Sequence, residues 1–434
     1  MDLTRQPPRR PSNAGIAGIV GLARMTDKAR GHNADLLGEF KYGESSGLDC
    51  EVLELLGVAV DDFADAADRL WDDELEAWVR ERMRCSQDQI EAFNNEQLTR
   101  EPLDDLHRQL LRERIVNFAP GSTDITTVYA SIELDDWGAF RDEDLTTGPP
   151  RTAFLRTVAG IVGAARMADK ARGRRAGKLG AYKYGNDSYV DRTILEFLGI
   201  SQQDFEEAAW RNPNDTELAE WISQQMTLTP GAVSVLNEKL TRHGITTPGS
   251  EGAFRKRRDE VCPERPEVTT YFAMMDIDDE ASFGIVDLNR RPPRSPFDNN
   301  LGGAYGLARM IDKGRAQISG HIGAYWFGDD SGFDRRVLKL LGLSPEAFTE
   351  GLKQHGTDAE VVAWLGDRLQ GRDADIAAFN NSLVELGPGS SDGARAFLTE
   401  GVKATDAARE DVGTFMVLAR LDDEIFLARL RASV

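Results

Sequence analysis

Three stretches of the chain share one alternation of apolar and polar positions. They are "GIAGIVGLARMTDKARG", "AGIVGAARMADKARG" and "GGAYGLARMIDKGRA". In the first, Gly18, Leu22, Met25 and Ala29 recur at helical spacing. This predicts a helix over about residues 13–31 and its counterparts. A short piece bounded by glycines follows, "GEFKYG" in the first copy, and predicts extended backbone. Asp49, Asp191 and Asp334 then precede apolar runs such as "CEVLELLG", the position of an N-cap. Gly57, Gly199 and Gly342 close those runs as C′ residues. Ser201 and Ser344 cap the next helix, and Pro345 suits its first turn. Two more helices are expected around Trp78 and Asn94. The tails "TTVYASIELDD", "TTYFAMMDIDD" and "GTFMVLARLDD" alternate apolar residues and carry Val, Tyr, Thr and Ile, which predicts a strand.

The register holds over whole domains. The heads begin at Asp2, Asp144 and Asp287, and Trp78/Trp221/Trp364 and Asn94/Asn237/Asn380 fall in step. The period is too long for a solenoid and fits tandem domains, at residues 1–143, 144–286 and 287–434. Between each Asn and its tail the copies diverge, as a variable connection would. The expected class is α+β and helix-rich. Each tail strand would pair with a "GEFKYG" strand, and the three homologous domains would close a pseudo-threefold (pseudo-trimeric) ring like a homotrimer.

The motifs Pro-Pro-Arg, Arg-Met-x-Asp-Lys-x-Arg and Gly-x-Tyr-x-Tyr-Gly, with the following Gly-x-Asp and a later Trp, resemble the bacterial family called domain of unknown function 5069. The likeness covers roughly the first hundred residues of each copy. It implies homology and brings no reaction with it. Members of that family usually carry one copy, and three fused copies depart from that pattern.

Charge narrows the function. The net charge of -21 disfavours binding to phosphate backbones and anionic membranes. No apolar run is long enough for a membrane span, and "MDLTRQPPRRPSN" lacks a signal-peptide core. Cys50, Cys85 and Cys262 are odd in number and scattered, which fits a reducing, cytoplasmic setting. The expected partner is a small anionic molecule, with no nucleic acid and no membrane.

Arg24, Asp27 and Lys28 recur as Arg166, Asp169, Lys170 and as Arg309, Asp312, Lys313, and Arg9 recurs as Arg151 and Arg294. On a helix Arg24 and Lys28 share one face. Two readings stand. Asp27 pairs with Arg24 and Arg30 on a solvated helix, worth a few tenths of a kcal/mol; or the cations bind a carboxylate or phosphate in a cleft. The ligand-binding candidates are therefore Arg24, Asp27, Lys28, Arg151, Arg166, Asp169, Lys170, Arg309, Asp312 and Lys313. Asp169, Lys170 and Tyr184 are the candidates for catalysis. Copy two adds Arg174, Arg175 and Lys178, a local anion site or a solvated basic turn. It is the favoured site, and copy three, with Trp326 and Phe327 replacing Lys and Tyr, the least favoured. A non-catalytic protein in which these residues form interdomain salt bridges is the alternative.

No histidine or cysteine recurs, which argues against zinc and against Ser-His or Cys-His catalysis, so no metal and no cofactor are expected. An oxygen-only cation site in "GDDSGFD" (Asp329, Asp330, Asp334) is less economical than capping and turn roles. The glycines lack the Gly-Lys-Ser/Thr ending of a phosphate loop and suit close helix packing.

Overall fold

The computed structural model describes residues 1–263, 265–266, 268–406, 408–409 and 411–432. Each repeat lays down the same helices in the same order. The motif helix is Leu22–Asn33, Ala164–Arg175 or Leu307–Ser319. A 3-10 turn (Gly43–Ser45, Gly185–Asp187, Gly328–Asp330) leads to a second helix at Gly47–Leu56, Tyr189–Leu198 or Gly332–Leu341. Third helices are Val60–Arg69, Gln202–Arg211 and Pro345–Gln354, and fourth helices Asp72–Arg82, Asp215–Gln225 and Asp358–Trp364. Helices around the recurring Asn (Gln87–Thr99, Pro230–Thr241, Asp373–Val384) precede helices in the variable connection (Asp105–Phe118, Glu251–Val261, Asp392–Asp406). A tail helix closes each repeat: Val128–Phe140, Tyr271–Phe283 and Phe415–Ala432.

The protein is all-helical, which corrects the α+β expectation. Among the described residues there is no strand, and the one bridge joins Gly244 to Thr270. The tails are helices because Thr127 and Thr270 cap them, accepting from Ala130 N and Ala273 N. Burial in the second copy falls on Phe272, Asp276 and Asp279, at spacings of four and three, and so includes two carboxylates. A scan for apolar alternation scores those carboxylates as outward-facing and misses the helical face. The "GEFKYG" pieces are extended at Tyr42, Tyr184 and Phe327 but pair with no strand.

Two further expectations shift. The motif helix starts at Leu22, not near Asn13, because the preceding loop turns through left-handed backbone at Ala17, Gly18 and Gly21. The glycines serve those turns. The recurring asparagines pin this loop. Asn94 accepts from Val20 N (3.0 Å) and donates to Gly18 O (2.7 Å); Asn237 and Asn380 bond Val162 and Gly160, and Tyr305 and Gly303, in the same way. The N-caps of the second helices are Ser46, Ser188 and Ser331 rather than the aspartates, which stand one turn in. The C′ glycines Gly57, Gly199 and Gly342, the caps Ser201 and Ser344, and Pro345 in the first turn stand as the sequence suggests.

The chain divides into two compact units that do not follow repeat boundaries. One comprises Met1–Thr146, Thr157–Ala159 and Met167–Thr229, the other Thr147–Arg156, Gly160–Arg166 and Pro230–Val434. The first is built on a core of Ile19, Leu22, Met25, Val52, Phe63, Leu75 and Val79. The second uses the equivalent residues of repeat three, Leu307, Met310, Val337, Phe348 and Val361. No helix among the described residues is long and apolar enough to cross a membrane.

Gly21 tests this account of the loop. Its φ is 83°, and a Cβ there would meet Tyr129 Oη at 3.1 Å and Val52 Cγ2 at 3.2 Å. Gly21→Ala should lower stability by about 1–2 kcal/mol, read as an earlier thermal transition. An unchanged melting profile would refute the role given to the loop.

Candidate functional site: a buried ion-pair network and an adjoining cavity

The motif helix is wrapped on every side. Arg24, Thr26, Asp27 and Lys28 are as buried as Leu22 and Met25, and so are Arg309, Asp312 and Lys313. Burying charge is costly unless each charge is paired and its hydrogen-bonding capacity filled. The sequence supplies a partner for each.

In repeat one the backbone N–H of Arg9 donates to Asp27 Oδ2 (2.8 Å), while its Nε and Nη2 reach the same carboxylate at 2.8–3.1 Å. Arg9 Nη1 extends to Asp72, which also accepts from Arg30 Nη1. Repeat three repeats the pattern atom for atom. Arg294 holds Asp312, its Nη1 reaches Asp358, and Arg315 joins Asp358. A guanidinium and a carboxylate meeting through two parallel bonds make the strongest geometry of this kind. Burial disfavours the Arg294 charge, but Asp312 and Asp358 outweigh it and raise its pKa. Burial would likewise raise Asp312; Arg294 and Arg291 hold it well below the usual carboxylate range.

The second cation of the motif pairs with the tail. Arg24 Nη1 donates to Asp136, Arg166 to both oxygens of Asp279 (2.7 and 2.9 Å), and Arg309 to both oxygens of Asp423 (2.6 and 3.0 Å). The third cation is saturated. Lys28 Nζ donates to Asp49 Oδ1 (2.6 Å), Lys41 O (3.0 Å) and Ser46 Oγ (3.1 Å). Lys313 does the same with Asp334, Trp326 O and Ser331, and Lys170 with Asp191, Lys183 O and Ser188. An ammonium has three N–H bonds, and all three are used. The extended piece thus gives its carbonyl to the lysine instead of to a strand. Burial pushes the Lys313 ammonium down and the Asp334 carboxyl up, against their mutual attraction.

The motif is therefore neither a solvated helix nor a set of open cations. Only in repeat two does the Asp pair with the third-following arginine as the sequence suggests: Asp169 takes Arg172 Nη2 at 2.8 Å in the first unit. In the second unit Arg151 Nη2 donates to Ala165 O. Tyr184 is buried and its hydroxyl donates to Gln202 O (3.2 Å); burial raises its pKa. The extra cations of repeat two are engaged, Arg174 with Glu206, Arg175 with Glu207 and Lys178 with Asp144. Among the described residues no group of histidine, cysteine and carboxylate side chains is placed to hold a metal.

Open space lies instead beside the motif helix of repeat three. A cavity of about 640 Å³ has Arg309 and Lys313 in its lining. Its walls are Tyr325, Trp326 and Phe333 on one side of the sequence, and Phe397, Phe415 and Leu418 from the variable and tail helices on the other. Trp326 and Phe397 are 61% and 51% exposed, with ring centroids 6.4 Å apart. Ala394, Gly401, Ala404 and Ala419 leave the room. Arg335 and Arg336 also line it and make no ion pair with any described residue, and Asp330 and Asp422 complete the charged lining. Sequence reasoning missed this site because part of its far wall comes from the variable connection, where the copies share no motif, and the rest from a tail that was read as a strand. The signal it did contain was the change of Lys41 and Lys183 to Trp326.

A family model described as "Domain of unknown function (DUF5069)" matches residues 5–137, 148–281 and 290–425. The chain belongs to that family and carries its domain three times. No curated relative matches the chain.

Asp312→Asn tests the network. It removes the charge that faces Arg294, and loss of one member of a buried pair costs about 3–5 kcal/mol. Because the folded-state pKa of Asp312 is depressed below 3.8, its contribution is present above that pH and is lost as pH falls beneath it. Denaturant unfolding should therefore show a large loss for Asp312→Asn at pH 7 and a smaller one in acid. A variant as stable as the parent at pH 7 would refute the pairing.

Proposed function

We propose that repeat three is a binding module for a small molecule with an apolar body and an anionic head, a carboxylate or a phosphate, and that the buried network of every repeat is the frame that holds such a site in shape. The observation that carries this reading is the aromatic cavity beside the motif helix, with Arg335 and Arg336 in its lining and in no ion pair with any described residue. A cleft of this size, mostly apolar with few polar groups, has the character of small-molecule sites. The motif cations Arg309 and Lys313 line it but are already neutralised by Asp423 and Asp334, so the guanidinium groups of Arg335 and Arg336 receive the head. The lining holds no histidine or cysteine, and the reading is of binding rather than turnover. It includes a cytoplasmic setting, supported by three thiols that form no disulfide.

A second reading, a non-catalytic structural protein, is favoured by ion pairs that join successive repeats. In the second unit Arg290 donates to Asp276 and Asp279, and Arg291 to Glu280. In the first, Asn214 bonds Pro7 O and Arg10 N–H bonds Glu217. These contacts hold neighbouring repeats together and leave the cavity open.

Calorimetry with octanoate and hexyl phosphate, followed by the fluorescence of Trp326, distinguishes the two. Saturable heat with a change in emission is expected. Arg335→Gln combined with Arg336→Gln should weaken binding about tenfold to a hundredfold, the loss of one charge-assisted hydrogen bond, without changing the melting profile. Trp326→Phe should remove the optical signal and keep the heat. No heat with either probe would leave the structural reading standing alone.

A further inference from the structure

Trp326 stands between two cavities. The one described above shares Tyr325, Trp326 and Asp330 with a smaller cleft of about 490 Å³, whose lining adds Phe327, Glu346 and Glu350. The two differ in charge. The larger holds Arg335 and Arg336, which make no ion pair with a described residue. In the smaller every charged side chain is a carboxylate: Glu350 is paired with Lys353 at 2.7 Å, whereas Asp330 and Glu346 have no ion pair with any described residue.

We propose that the ligand of repeat three is dipolar: its anionic head meets Arg335 and Arg336, its apolar body passes Trp326, and a cationic end, an ammonium, enters the smaller cleft between the aromatic rings and Asp330 and Glu346. This rests on the binding reading above and specifies its ligand class.

Two independent features point to the cation. First, three consecutive aromatic residues, Tyr325, Trp326 and Phe327, line the cleft together with carboxylates. Ring faces and carboxylates attract the same partner, an ammonium. An anion would meet the repulsion of three carboxylates there. Second, the other repeats exclude this chemistry by sequence. At the position of Trp326 they carry Lys41 and Lys183, whose charge would repel a second ammonium. Repeat three alone exchanges that lysine for an indole, and the indole is 61% exposed. An exposed indole beside carboxylates offers its face to a cation.

The test uses the full chain and calorimetry. The probes are octanoate and a series from ω-aminohexanoate to ω-aminododecanoate, with octylamine as the cation-only control. The best member of the series should bind about fivefold or more tighter than octanoate, the worth of one partly exposed ion pair. Glu346→Gln, which alters the smaller cleft alone, should shrink that advantage and leave octanoate affinity unchanged. Trp326→Lys should erase it. If octanoate binds and no amino acid of the series binds more tightly, the ligand is a simple anion: the dipolar assignment falls and the binding reading survives. If octylamine binds as well as the dipolar probes, the anionic head is irrelevant and both assignments fall. If no probe binds, both fall together.

Discussion

The contact between the head-loop arginine and the motif-helix aspartate organises each repeat in which it is seen whole. Arg9 and Asp27, or Arg294 and Asp312, meet through two side-chain bonds and a backbone N–H. A helix with Arg, Asp and Lys within one turn would ordinarily lie on a surface. Here it is buried, and it stays buried only because its carboxylate is filled before any solvent is needed. The guanidinium then has a free Nη1, which fixes the start of the fourth helix through Asp72 or Asp358. Loop, motif helix and fourth helix are thereby set by one side chain.

The remaining cations extend that logic to parts of the chain that share no sequence motif. Lys28 fixes the extended segment and the first turn of the second helix, and Arg24 fixes the tail. A buried charge tolerates little change in its surroundings, so these segments keep their positions while the variable helix between them changes. In repeat three that helix stands far enough from the motif helix to leave a cavity with aromatic walls. The frame and the site are thus made by different parts of the chain: charge pairing for the one, and side-chain size at Ala394, Gly401 and Ala404 for the other.

Much of this was legible in the amino-acid sequence. The triplication, the family resemblance, the C′ glycines and the caps Ser201 and Ser344 each follow from local chemistry that neighbouring residues settle. The recurrence of Arg, Asp and Lys at one spacing marked the right residues, and salt bridges among them were one of the readings, but those were placed between domains, whereas the motif cations find their carboxylates within their own repeat. Those partners, Asp49, Asp72 and Asp136, lie far along the chain. Two of them were visible in other roles, Asp49 as a cap and Asp136 at the end of an imagined strand. The tail shows why: apolar alternation assumes that carboxylates face water, and Asp276 and Asp279 do not.

The pairing of Arg24 with Asp136 also has a consequence for how the chain is made. The two residues are 112 positions apart. During synthesis, at roughly 5–20 residues per second, the arginine waits on the order of ten seconds before its counter-charge exists. Until then the first repeat can collapse around its apolar residues but cannot enclose the motif helix without trapping a bare guanidinium. The tail helix therefore acts as a timer, holding the helix near water until the whole domain has been translated. The same wait recurs for Arg166 and Asp279, and for Arg309 and Asp423, which are 113 and 114 positions apart.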